Sequence, residues 1–86
     1  MKTIYKYPLS LDVSQIVSIP GKPISVIVQR GEIVAYALVD TDSEPLQWEF
    51  VMCGTGQPTP ENIDGLGFLG TVSLYDGSLI LHVFYH

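Results

Sequence analysis

The chain is expected to be all-β, a small antiparallel β-barrel or sandwich of six to seven strands. Three observations carry this. Ile24 to Val39 holds two apolar runs parted by Arg30-Gly31, the pattern of a β-hairpin closed by a two-residue turn. Several other stretches alternate apolar and polar residues with the period of two of a half-buried strand. No segment keeps an amphipathic helical period over ten residues.

Lys2 to Tyr7 alternates Thr3, Tyr5, Tyr7 against Lys2, Ile4, Lys6. It reads as an edge strand, because lysines discourage sheet-to-sheet pairing, and Pro8 is expected to end it. Between Leu9 and Ile19, Asp12 suits a turn cap and Gln15 to Ile19 alternates, so a short strand is expected over 15–19. Pro20-Gly21-Lys22-Pro23 reads as a turn. In the hairpin, closure at Arg30-Gly31 sets Val28 opposite Ile33, Val26 opposite Ala35 and Ile24 opposite Ala37, an apolar face. The other face pairs Gln29 with Glu32, Ile27 with Val34 and Ser25 with Tyr36. A hairpin apolar on both sides is expected to be covered on both.

Asp40 to Pro45 is a polar loop whose side chains bond their own backbone. Leu46 to Cys53 sets the stripe Leu46, Trp48, Phe50, Met52 against Gln47, Glu49, Val51, Cys53, a strand. Gly54 to Gly65 is loop. Leu66 to Leu74 is a strand interrupted by Gly67 and Gly70, the mark of a bulge or a close backbone approach. Asp76-Gly77 is a hairpin turn leading into a last strand, Ser78 to Tyr85. The expected core is Val26, Val28, Ile33, Ala35, Ala37, Trp48, Phe50, Leu79, Leu81 and Val83.

Eighty-six residues suit a single β domain spanning 1–86. With 47% hydrophobic and 15% charged residues and a mean hydropathy of +0.30, the chain is too apolar for disorder. No apolar run approaches the roughly 18 residues of a membrane span, so no membrane association is expected. The start has no signal-peptide h-region and Cys53 stands alone, which points to the cytoplasm. All four basic residues, Lys2, Lys6, Lys22 and Arg30, precede residue 31, whereas eight of the nine acids follow it. Such a surface repels phosphate backbones and excludes nucleic acid as a partner. It suits a basic protein surface.

The letters of Gly65 to Gly70 match G-x-G-x-x-G, but β-type sequence follows where a dinucleotide site needs a helix. Gly54-Thr55-Gly56 has the composition of a backbone nest for an anion, with Lys2 and Lys6 as the cations to assist it. Cys53 and His82 are the only nucleophile–base candidates, yet both fall in expected strands, where a free Cys packs as a small hydrophobe. His82 and His86 lie about 13 Å apart along a strand, too far for one metal ion. No cofactor or metal is expected. Tyr5 and Tyr7 offer contact area to a partner at low entropic cost, and Asp40, Asp42 and Glu44 supply a compact acidic patch.

Several stretches carry a family likeness: Ile4 to Pro8, Val26 to Gln29, Ala37 to Asp40, Gly54 to Gly56, Leu69 to Val72 and His82 to Phe84. In this order and spacing they resemble small uncharacterised proteins of tailed bacteriophages and prophages. The likeness departs at Tyr36, where similar proteins often have Trp, and at Gln57, where they often have His. It implies a phage origin, the host cytoplasm, and an accessory rather than a virion role. The reading that results is a non-enzymatic accessory protein. It would act on a host protein with a basic surface, such as a defence factor, through Tyr5, Tyr7, Asp40, Asp42 and Glu44. A homodimer is expected, since Ile80 and Phe84 add a second apolar face to the last strand. The alternatives are sequestration of a nucleotide signal at a subunit interface, by Gly54, Thr55, Gly56, Lys2 and Lys6, and an enzyme using Cys53 and His82.

Overall fold

The computed structural model describes residues 1–86 and contains seven strands and no α-helix. The strands are β1 (Lys2–Leu9), β2 (Ser14–Ile19), β3 (Gly21–Gln29), β4 (Glu32–Asp40), β5 (Leu46–Gly54), β6 (Gly67–Leu74) and β7 (Leu79–Tyr85). They form two antiparallel sheets, one ordered β1-β4-β3 and the other β2-β5-β7-β6. The sheets share one core between their inner faces.

The β3–β4 hairpin closes at Arg30 and Gly31, both left-handed with φ of 53° and 78°, as the two-residue turn requires. Its register follows the sequence reading from Gln29–Glu32 back to Ser25–Tyr36. There it slips: Pro23, not Ile24, faces Ala37. Proline has no N–H for the ladder and is tolerated at bulges and edges, so Pro23 turns inward and Ile24 is left outside.

Two more expectations are corrected by the same tolerance. β1 continues through Pro8, which pairs with Val34, because its other side is a free edge. Pro20 to Pro23 is not a turn. The chain bends once at Pro20 and enters β3 at Gly21, passing from one sheet to the other. Only glycine fits at this corner, since a Cβ on Gly21 would lie 1.9 Å from the Leu38 carbonyl oxygen.

Gly67 and Gly70 mark both a bulge and close approaches. The β6 register shifts between Phe68 and Gly70. A Cβ on Gly67 would meet the Tyr85 ring at 2.5 Å, and one on Gly70 would meet Val26 Cγ1 at 2.9 Å. The second contact crosses the sandwich, so β3 and β6 pinch the sheets together at one margin. At the other margin β1 and β2 barely touch. The β6–β7 hairpin turns at Asp76-Gly77, with the Ser78 N–H bonded to the Tyr75 carbonyl. Tyr75 is left-handed as well, so the strands pair only from Leu74 and Leu79, and the last one begins at Leu79 instead of the expected Ser78.

Of the expected core, Val26, Ile33, Ala35, Ala37, Phe50, Leu81 and Val83 lie in it, while Val28, Trp48 and Leu79 pack on its margin. Leu9, Ile19, Val39, Met52, Val72 and Leu74 complete it. The hairpin is covered on its inner face only. On its outer face Val34 alone is buried.

Candidate functional site

Strand alternation places Lys2, Ile4, Lys6 and Pro8 of β1 on the outer face of the three-stranded sheet. Beside them lie Asp40, Leu38, Tyr36, Val34 and Glu32 of β4, and Lys22 and Ile27 of β3. Ile4, Leu38 and Lys22 fall in one row across the sheet, and Pro8, Val34 and Ile27 in another. Ile4, Ile24, Ile27 and Leu38 are 56, 43, 41 and 39% exposed. No other element of the chain lies over them, and they form an apolar stripe that the row of Lys6, Tyr36 and Ser25 interrupts, with Lys2 and Lys22 at its end.

Two clefts open on this face. At one end a cleft of about 560 Å³ is lined by Lys2, Gly21, Lys22, Leu38, Glu44 and Trp48, among others. The Trp48 Nε1–H donates to the Gly21 carbonyl oxygen at 2.9 Å, and the ring packs 5.6 Å from that of Tyr85. This fixes the indole at the junction of the two sheets. At the other end a depression of about 340 Å³ lies between Lys6, Pro8, Val34, Glu32, Gln29 and Arg30.

Charge is divided by sheet. Every Lys and Arg belongs to the three-stranded sheet or its hairpin turn, and the four-stranded sheet with its loops carries Asp12, Glu49, Glu61, Asp64 and Asp76 without a basic residue. The acidic patch expected at Asp40, Asp42 and Glu44 is offset where it stands. The Met1 amino group donates to Asp42 Oδ2 at 3.0 Å and to Asp40 Oδ1 at 3.4 Å, and Glu44 shares the larger cleft with Lys2 and Lys22. The backbone N–H of Asp42, and then the amino group, hold the Asp40 carboxyl below the usual carboxylate range. The Asp42 carboxylate in turn raises the pKa of that amino group.

Gly54, Thr55 and Gly56 are not brought together with Lys2 and Lys6. Gly54 pairs with Leu81 in the four-stranded sheet, Lys2 pairs with Asp40 in the other, and no cleft is lined by both sets. The three residues form a turn closed by the Gln57 N–H on the Gly54 carbonyl, with Gly56 at φ 80°. Tyr5 and Tyr7 point to the inner side of β1, opposite Ala37 and Ala35. Tyr7 packs on the core, and its burial raises its phenol pKa. Tyr5 remains exposed at the open margin between β1 and β2.

Cys53 and His82 are cross-strand neighbours. Cys53 is buried, and both ring nitrogens of His82 are taken up, Nε2 by the Thr55 hydroxyl at 2.7 Å and Nδ1 by the Thr71 hydroxyl at 2.9 Å. In a neutral ring one of these nitrogens donates and the other accepts. The resulting Thr–His–Thr chain ties the turn after β5 to β6. No group of three or more His, Cys, Asp or Glu side chains is placed to hold a metal ion, and no helix is long and apolar enough to cross a membrane.

The exposed stripe is not among the sites expected from sequence, because Ile27 and Val34 read there as one half of a doubly covered hairpin. Ile4 falling in step with Lys2 and Lys6 is the signal that could have found it. A family model described as a domain of unknown function (DUF7352) matches residues 1–86. No curated protein and no solved structure matches the chain.

Proposed function

The chain belongs to the DUF7352 family over its whole length, and on that premise we propose that it is a non-enzymatic binding protein. It docks a protein partner on the outer face of its three-stranded sheet. The observation that carries this is the stripe Ile4, Leu38, Ile24 and Ile27, exposed with Lys2, Lys6 and Lys22 around it. A side chain of this kind stabilises the fold little while it faces water, and an apolar centre with a charged rim is the anatomy of a protein interface. The lysines favour a partner whose own apolar surface is rimmed by acids, because opposite potentials steer encounter and fix register. Asp40 and Asp42, paired with the Met1 amino group, and Glu44 stand at one end of the face and set its limit. The resemblance to phage and prophage proteins supports a bacterial host protein in the cytoplasm as that partner. Engagement of both His82 nitrogens by threonines supports the non-enzymatic reading.

The test is affinity capture from bacterial lysate with the wild-type chain and with the pair Ile27→Asp, Leu38→Asp. A stoichiometric protein held by the first and lost by the second supports the reading. Equal capture by both sinks it. One observation favours a second reading, a small anionic ligand with a flat ring: Lys2, Lys22 and Trp48 line the same 560 Å³ cleft. Co-purification of such a molecule, lost on Trp48→Leu, would rank that reading first.

A further inference from the structure

A sandwich of two open sheets has four edge strands, here β1, β3, β2 and β6. An unprotected edge is a template for another strand, and proteins blunt edges with lysine, proline or bulges. β1 carries Lys2, Lys6 and Pro8. β3 carries Lys22, Pro23 and a bulge, and also leans on β6. β6 has its own bulge between Phe68 and Gly70. β2 has none of these. Its sequence, Ser14-Gln15-Ile16-Val17-Ser18-Ile19, holds no charge, no proline and no glycine, and its register with β5 runs without a break. No main-chain hydrogen bond reaches residues 14–19 from any strand but β5. Ile16, at its centre, is 68% exposed, and Leu11 and Val13 lead into it exposed as well.

We infer that β2 is an interaction edge and that its partner is β2 of a second copy, paired antiparallel about a two-fold axis at Ile16. The four-stranded sheets of two protomers then join into one continuous sheet. The occupant follows from the strand itself. A two-fold axis at Ile16 sets Ile16 against its own copy and Ser14 against Ser18 of the partner, so residues of the same sheet face meet. It buries Ile16, the one exposed apolar side chain of the strand. The chain has a net charge of −5, yet none of its acids lies on β2, so the pairing brings no like charges opposite each other. Glu49, the nearest acid on β5, would stand three strand spacings from its copy, about 14 Å, beyond the Debye length of about 8 Å at physiological salt. This edge is distinct from the outer face of the three-stranded sheet, which stays free in the dimer.

Sedimentation equilibrium of the intact protein tests the inference, with Ile16→Lys as the edge-blocking variant and Ile4→Lys as the control on the other sheet. Both side chains already face water, so both variants should fold, which circular dichroism checks. The wild type should approach twice 9.5 kDa at micromolar concentration. Ile16→Lys should weaken the dimer at least about tenfold, and Ile4→Lys should leave it unchanged. Ile16→Cys gives the register. The axis places the two Cα atoms about 4.5–5.5 Å apart, within disulfide reach, so mild oxidation should cross-link this variant efficiently and Ser14→Cys alone poorly. A wild-type monomer at all concentrations overturns the inference. So does a dimer that Ile16→Lys leaves intact or Ile4→Lys disrupts, or preferential cross-linking of Ser14→Cys.

Discussion

Substituting Gly70 by Ala probes the point where the two sheets are pinched. The added Cβ would stand 2.9 Å from Val26 Cγ1, against about 3.5–4.0 Å for a relaxed carbon contact. Val26 is buried and its branched side chain has little rotamer freedom, so β3 and β6 must separate. Overpacking of this kind costs about 1–3 kcal/mol. Val26→Ala by itself removes two methyl carbons, roughly 1.6 kcal/mol at 0.8 per group, before any cavity term. In the double variant the methyl group added at position 70 occupies space that Val26 vacates, so the joint loss should fall short of the sum by about 1 kcal/mol. Urea unfolding at fixed protein concentration, followed by the fluorescence of the one tryptophan, reads all three. Each kcal/mol also corresponds to about 4–8 °C in Tm for a domain of this size. A neutral Gly70→Ala, or strict additivity, would mean that the sheets do not meet at this pair.

Gly21→Ala should abolish folding, because the clash is with backbone at 1.9 Å, as seen in an expression trial and circular dichroism. Gly31→Ala meets no neighbour and should cost only about 1 kcal/mol for its positive φ. Trp48→Phe should cost about 1 kcal/mol for the lost bond to Gly21. Trp48→Ala should cost about 2–3 kcal/mol, less than the 3–5 of a fully buried ring, both read by thermal melts. The Glu49 carboxyl accepts from the Ser14 hydroxyl and meets the His86 ring, which hold its pKa below the ordinary value, as happens also at Asp40. Their folded-state pKa values are depressed, so their contribution is present above the ordinary carboxylate range, about 4, and is lost as pH falls through the lower folded values. Melts between pH 6 and 2 should show that loss, and Glu49→Gln should flatten it.

What the sequence discloses and what it conceals divide along physical lines. Local turn chemistry and period-two alternation give the strands, the place of each hairpin turn and most of the core, because each depends on neighbours in sequence. Pro8 and Pro23 mislead, since a proline ends a strand only where its missing N–H is needed, and edges are assigned by the whole fold. Gly21 looks like a turn residue, and its actual demand, a carbonyl oxygen standing where a Cβ would have to go, is set by a strand residue 17 positions away. The candidate site suffers most. Gly54 to Gly56 and the N-terminal lysines group by chemical suitability, yet they lie in different sheets. The stripe of Ile4, Leu38 and Ile27 is invisible in sequence because its members come from three strands whose order the sequence does not state.

Whether Leu38 and its neighbours on the three-stranded sheet form the partner's docking surface is tested most directly by calorimetry. The captured partner is titrated against wild type and against Leu38→Asp. With circular dichroism unchanged, affinity should fall about 100-fold or more, as expected when a charge is placed at the apolar centre of an interface. A Leu38→Asp protein that binds the partner as tightly as wild type would contradict that role for the sheet.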